Sequence, residues 1–210
     1  MQDKVDLKKS LDSYRARRGQ FRVLDVPDLH YLMIDGHGDP NTSAFSTAVE
    51  SLYPVAYTLK FASKNELGRD YVVPPLEGLW WAEDMDAFTA ARDKSAWDWT
   101  LMLLVPDWID AAMVTAAITK VEKKRPPARL ADVRWEPLAE GRCVQTLHIG
   151  SFDAEAGVLA QLHHEFIPAH DLRLRGTHHE IYFSDVRRTA PEKLRTILRQ
   201  PVAVTHDAGR

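Results

Sequence analysis

Gly36-His37-Gly38-Asp39 and Gly150-Ser151-Phe152-Asp153 stand 114 residues apart, and each follows a strand pattern and precedes a helical one. The same offset places Ala48 and Leu52 on Leu162 and Phe166. Residue identity across the offset is weak, but the order strand, Gly-Asp loop, helix, strands recurs. A repeated supersecondary unit of this kind is the mark of internal duplication.

In the first half, Phe21 to Ile34 reads as strand, broken at Pro27-Asp28, where proline removes a ladder donor. Phe45, Ala48, Val49, Leu52, Val55, Ala56 and Leu59 recur with helical period, with an N-cap from Asn41, Thr42 or Ser43. Pro54 falls inside this stripe and predicts a kink or a restart. Beside the apolar stripe runs a second one of Tyr53, Tyr57, Lys60 and Lys64. Leu76 to Trp81 follows the Pro74-Pro75 break as a strand, and Trp97, Trp99, Leu101, Leu103 and Val105 alternate until Pro106. A second helix opens at Asp107 or Asp110 and runs to about Lys124, before Pro126-Pro127.

The second half follows the same plan. Val133 to Ile149 is strand-like with a turn at Glu140-Gly141-Arg142; Val158, Leu159, Leu162 and Phe166 form a helical stripe, and His179 to Ser184 a strand. Thr189-Ala190-Pro191-Glu192 reads as a capping box, predicting a short helix on Leu194, Ile197 and Leu198 that ends before Pro201. The expected fold is α+β: two tandem β-α-β-β modules with antiparallel sheets and a ligand cleft between them. The boundaries read as an exposed lead-in (1–20), a first module with its connecting helix (21–125), a second module with a C-terminal helix (126–202) and a tail (203–210).

Composition narrows the function. The 210 residues are 45% hydrophobic and 27% charged, enough for a core without a disulfide or metal staple, and the formal charge of −3 argues against a nucleic-acid partner. The first residues lack an apolar signal region and no apolar run approaches membrane length, so the expectation is a cytoplasmic protein with no membrane partner. The single Cys143 reads as a small core residue. Walker, His-Glu-x-x-His and Gly-x-Ser-x-Gly motifs are absent, and the adjacent pairs His163-His164 and His178-His179 cannot chelate alone, so neither cofactor nor metal is expected.

Between Asp70 and Asp110 lie nine acids and five of the six tryptophans, against Arg92 and Lys94. An acidic, aromatic segment suits a ligand that is flat, apolar or cationic, although tryptophans that fill core and acids that solvate a surface give the same composition. Strand alternation puts His178, Glu180 and Tyr182 on one face, with His179, Ile181 and Phe183 on the other. With the second face towards the helices, the first looks into the cleft. There Glu180 either pairs with a ligand cation or, with its pKa raised, acts as general base or acid; the plain alternative is an exposed edge-strand glutamate. Glu77, between Pro75 and Trp80-Trp81, is in the same situation, and Tyr71, Trp97, Trp99 and Trp135 are further candidates for cleft walls.

Leu76-Glu77-Gly78-Leu79-Trp80-Trp81, Trp97-Asp98-Trp99-Thr100 and above all Gly176-Thr177-His178-His179-Glu180-Ile181-Tyr182-Phe183-Ser184-Asp185 resemble the stand-alone GyrI-like small-molecule-binding family. The block Arg187 to Pro201 is similar to that family's C-terminal end, and the resemblance runs from about Phe21 to Val202. It implies tandem β-α-β-β modules around a hydrophobic cleft. Relatives of this fold serve as drug-sensing domains, and some stand-alone members hydrolyse the cyclopropane ring of DNA-alkylating natural products. On this resemblance Glu180 matches the site glutamate, Trp80, Trp97, Trp99 and Tyr182 match pocket aromatics, and Glu77 matches the Leu-Glu-Gly pattern. Pro54 departs from a helix that the family usually leaves uninterrupted, which bears on the placement of Tyr53 and Tyr57. Two functions follow: a hydrolase with Glu180 as base and Tyr182 or a pocket tryptophan as hydrogen-bond donor, or a binder in which Glu180 is only a counter-charge.

Overall fold

The structure, a computed structural model, describes residues 4–83 and 93–205. In chain order its elements are α1 (Leu7–Ser10), β1 (Arg22–Val26), β2 (Leu29–His37), α2 (Ser43–Glu66), β3 (Leu76–Trp81), β4 (Asp98–Val105), α3 (Ala111–Glu122), β5 (Arg134–Leu138), β6 (Gly141–Ile149), α4 (Ala156–Ala160), α5 (Ile167–Ala169), β7 (Leu172–Leu174), β8 (His178–Tyr182) and β9 (Arg195–Val204). A π-helical turn, Gln161–Phe166, lies between α4 and α5. The fold is α+β with antiparallel strand pairing, and no helix among the described residues is long and apolar enough to cross a membrane.

The chain divides into two compact units, Met1–Leu11 with Leu29–Leu138, and Asp12–Asp28 with Ala139–Arg210. This differs from the sequential halves expected at 21–125 and 126–202. The strand that precedes each module pairs in the other unit: β1 with β6, and β5 with β2. The lead-in 1–20 is not uniformly exposed either. Val5 bridges to Tyr71 in the first unit, while Ser13 and Tyr14 are buried in the second.

In the first unit the strand order is β3-β4-β2-β5. Helix α2 buries Ala48, Leu52, Val55, Ala56 and Leu59, the stripe that its periodicity predicts. Pro54 does not break it, and α2 runs unbroken from Ser43 to Glu66. Asp110 is the N-cap of α3, its carboxylate accepting from Met113 N at 2.9 Å, and α3 packs on α2.

In the second unit the order is β1-β6-β9-β8, with β7 beside β8 on the same edge of β9. Leu162 and Ile167 pack on Val144, Leu172 and Val202, with Phe21 and Phe166 at the margin. The C-terminal helix expected from the capping box is absent: only Pro191–Lys193 forms a helical turn, and Arg195–Val204 is the long strand β9. Residues 196–202 are buried on both faces because β9 lies between β6 and β8, so Ile197 and Leu198, adjacent in sequence, both face core. The helical spacing of Leu194, Ile197 and Leu198 was coincident with a doubly buried strand, which has no alternation to show.

Candidate functional site

Strand alternation sets the second unit's site. Register pairs Glu180 with Leu198 and Tyr182 with Thr196, so these share the face that also carries Val144 and Val202. That face is covered by the helical segment 152–169, because Leu162 packs on Val144 and Val202 and the His163 ring stands 6.2 Å from that of His178. The assignment of Glu180 to the face away from the helices is therefore reversed. The opposite face meets the chain around Ser13 to Arg17: Phe183 stands edge-on to Tyr14, and Arg199 Nη2 donates to the Ser13 carbonyl at 2.6 Å. The sequence contains the alternation but not the side on which the helix settles.

Glu180 is half-buried, its side chain 13% exposed. The Tyr182 hydroxyl donates to its Oε2 at 2.8 Å, so this tyrosine orients the carboxylate. His178 Nε2 stands 3.4 Å from Glu180 Oε1 without hydrogen-bond geometry. Phe152, 43% exposed, is edge-on to Tyr182 at 5.7 Å, leaving an aromatic margin beside the carboxylate. Glu155, just before α4, is buried against the same group. Burial first, and then the neighbouring Glu180 charge, push the Glu155 carboxyl far above the usual range. On the π-helical turn, burial followed by His178 and His164 lowers His163 to about 4, and its buried Nε2 has no hydrogen-bond partner. π-Helical turns are frequent at functional sites.

Glu155 escapes sequence reading because it lies 25 residues from Glu180 and looks like an ordinary acid at the start of a helix. Phe152 reads as part of the Gly150 to Asp153 loop, and its contact with Tyr182, 30 residues away, leaves no local signal.

Under the other face lies an ion cluster with almost no exposure. Glu140 accepts from His179 Nδ1 at 2.9 Å and from Arg199 Nη1 at 2.7 Å, and Arg199 Nε donates to Gln145 Oε1 at 3.0 Å. Burial raises the Glu140 pKa, but His179 and Arg199 outweigh it and hold the group at about 2. This cluster fixes β8 and β9 directly behind the Glu180 face.

The first unit gathers only some of the predicted aromatic walls. Trp80 and Trp99 are register partners and so share a face. Phe45 at the start of α2 stacks on Trp80 at 6.2 Å and stands edge-on to Trp99 at 5.3 Å; Trp97 is edge-on to Trp80 at 5.8 Å. Trp99 is fully buried, donating Nε1 to the Gly38 carbonyl at 3.2 Å over Gly36, where a Cβ would lie 1.9 Å from its ring. It is core, whereas Trp97 is half-buried.

The remaining candidates lie elsewhere. Glu77 pairs with Met102 in register, which puts it on the opposite face of β3 from Trp80, and it is fully buried. An odd spacing in a strand separates side chains to opposite faces, so Glu77 and Trp80 cannot line one wall. Tyr71 is buried edge-on to Trp108, whose Nε1 donates to Ser63 Oγ at 2.9 Å. Ser63 is 18 residues from Phe45 along α2, about 27 Å at helical rise, so Tyr71 is remote from the Trp80 cluster. Trp135 stacks on His30 at 4.7 Å and is opposite Leu32, four residues, or about 14 Å, along β2 from Gly36. Tyr53 and Tyr57 stack on each other at 6.2 Å, outside the buried stripe of α2. Among the described residues, no group of three or more His, Cys, Asp or Glu is placed to hold a metal ion.

Comparison with known proteins agrees with this architecture. The family model of the GyrI-like small molecule binding domain matches residues 112–203. An uncharacterized conserved protein from Listeria innocua has a structure with TM-score 0.87 at 38% identity, over 95% of this chain and 100% of that one. A hydrolase from Listeria innocua gives TM-score 0.82 at 36% identity, again over 95% and 100%. The C-terminal domain of EcmrR, at 11% identity and TM-score 0.56 over 88% of this chain and 98% of that one, shares the fold. No curated protein matches the chain. The match of the family model, with 38% identity to a solved structure over nearly the whole length, places the chain in the GyrI-like small-molecule-binding family.

Proposed function

We propose that the protein binds flat hydrophobic or cationic aromatic molecules and hydrolyses electrophilic, cyclopropane-bearing toxins among them, with Glu180 as general base. The observation that carries this reading is the carboxylate of Glu180, oriented by Tyr182 and flanked by buried Glu155, in a chain 36% identical to a structure named as a hydrolase. The exposed edge of Phe152 offers an apolar surface beside the carboxylate. Stacking and burial hold a planar ligand there.

In the reaction, the water oxygen bonds to a cyclopropane carbon as Glu180 takes a water proton. The ring carbon–carbon bond breaks, and its electron pair moves onto the conjugated carbonyl, whose oxygen then takes up a proton. The product is the substrate plus one water. Tyr182 acts by aiming Glu180 rather than as a donor free for substrate, since its hydroxyl is already bonded to Oε2.

A binder without chemistry is the second reading, and the family's description as a small-molecule-binding domain favours it. Mass spectrometry of a cyclopropane-bearing DNA alkylator, incubated with the protein in ordinary and in ¹⁸O-labelled water, separates the two. Hydrolysis gives a product heavier by one water that carries the label. Unchanged alkylator together with quenched tryptophan fluorescence means binding alone.

A further inference from the structure

Two carboxyl groups packed against each other cannot bond unless one keeps its proton, because an ionised carboxylate only accepts. Glu155 and Glu180 are such a pair. Glu155 is 4% exposed, and its Oε1 is fully buried with no hydrogen-bond partner. Leaving an ionised oxygen in that position is costly, whereas a proton shared towards Glu180 resolves it. The groups around the pair are the Thr196 hydroxyl from β9, the Asp153 carboxylate from the preceding turn, Tyr182 donating to Glu180, and His178 at 3.4 Å from Glu180. Of these, Glu180 and Asp153 both oppose the ionisation of Glu155.

We propose that Glu155 and Glu180 hold one proton between them and that this pair, not Glu180 alone, is the acid–base unit of the site. The inference rests on the reading of Glu180 as the reactive group and adds Glu155 as its positioning partner. In a water addition, the pair starts with one proton and takes a second from water as the carbon–oxygen bond forms. It returns to one by giving a proton to the oxygen left negative by the broken ring bond. Such a pair takes up and returns a proton within the site, which an isolated carboxylate exchanging with solvent does not do.

The test needs no substrate, so its outcome is independent of whether hydrolysis occurs. Protein labelled with ¹³C at the glutamate side-chain carboxyls is titrated from about pH 4 to about pH 9, a range in which ordinary glutamates become fully ionised. One carboxyl resonance is expected to stay protonated at neutral pH and to disappear in Glu155→Gln. In Glu180→Gln that resonance is expected to titrate at lower pH, because the opposing charge is gone; a purely structural Glu155 would not respond. This second variant keeps the test decisive if Glu155→Gln fails to fold. Ionisation of every glutamate by neutral pH, or a Glu155 resonance unmoved in Glu180→Gln, overturns the proposal.

Discussion

Glu140→Gln removes one charge from the cluster behind the Glu180 face, and its cost follows from the structure. The Glu140 and Arg199 side chains are 3% and 1% exposed, and that of His179 is 0% exposed. The substitution keeps the shape but takes the Glu140 carboxylate from Arg199, which also donates to the neutral Gln145 Oε1 and Ser13 carbonyl. Breaking a buried pair at one partner costs about 3–5 kcal/mol. Linkage gives a second route to the figure: a carboxyl held at about 2 against an ordinary 4.5 contributes ~3 kcal/mol at neutral pH. The folded pKa is depressed, so this stabilisation is complete above 4.5 and is lost as pH falls towards 2. Urea unfolding followed by circular dichroism is the assay, since all six tryptophans lie in the first unit and report poorly on the second. The gap between wild type and Glu140→Gln should be largest at neutral pH and close across that acid window. A gap below about 1 kcal/mol, the worth of an exposed pair, or one that does not change with pH, would refute the reasoning.

Two other substitution and reactivity experiments probe different parts of the molecule. Gly36→Ala drives a Cβ to 1.9 Å from the fully buried Trp99 ring, so a loss of about 1–3 kcal/mol or more is expected in urea unfolding read by tryptophan fluorescence; an unchanged midpoint contradicts the packing described. Cys143 is fully buried and its thiol is pushed up to about 12, first by burial and then by Glu140. It should resist a thiol reagent in the native protein and react only in denaturant, and rapid native labelling would show that the second unit opens.

The sequence makes some features of the site legible because they are local. Period-2 alternation groups His178, Glu180 and Tyr182, and the period of α2 identifies its buried stripe. Features set by tertiary pairing are not legible. The exchange of β1 and β5 between units follows from which strand edges meet, and nothing in Arg22–Val26 or Arg134–Leu138 marks it. β9 looked helical because a strand buried on both faces loses its alternation. Glu77 and Trp80 looked like neighbours because both are near the Pro74-Pro75 break, yet their odd spacing sends them to opposite faces. Glu155 becomes visible only when the segment before α4 closes on β8 and β9.

The most direct test of the account is to compare turnover and binding of one cyclopropane-bearing alkylator in wild type and in Glu180→Gln. A general base contributes typically 10²–10⁴-fold, so turnover should fall by about that factor while the Kd stays within a few-fold. Turnover that survives Glu180→Gln unchanged, or a loss of affinity as large as the loss of rate, would contradict the assignment of Glu180 as the base.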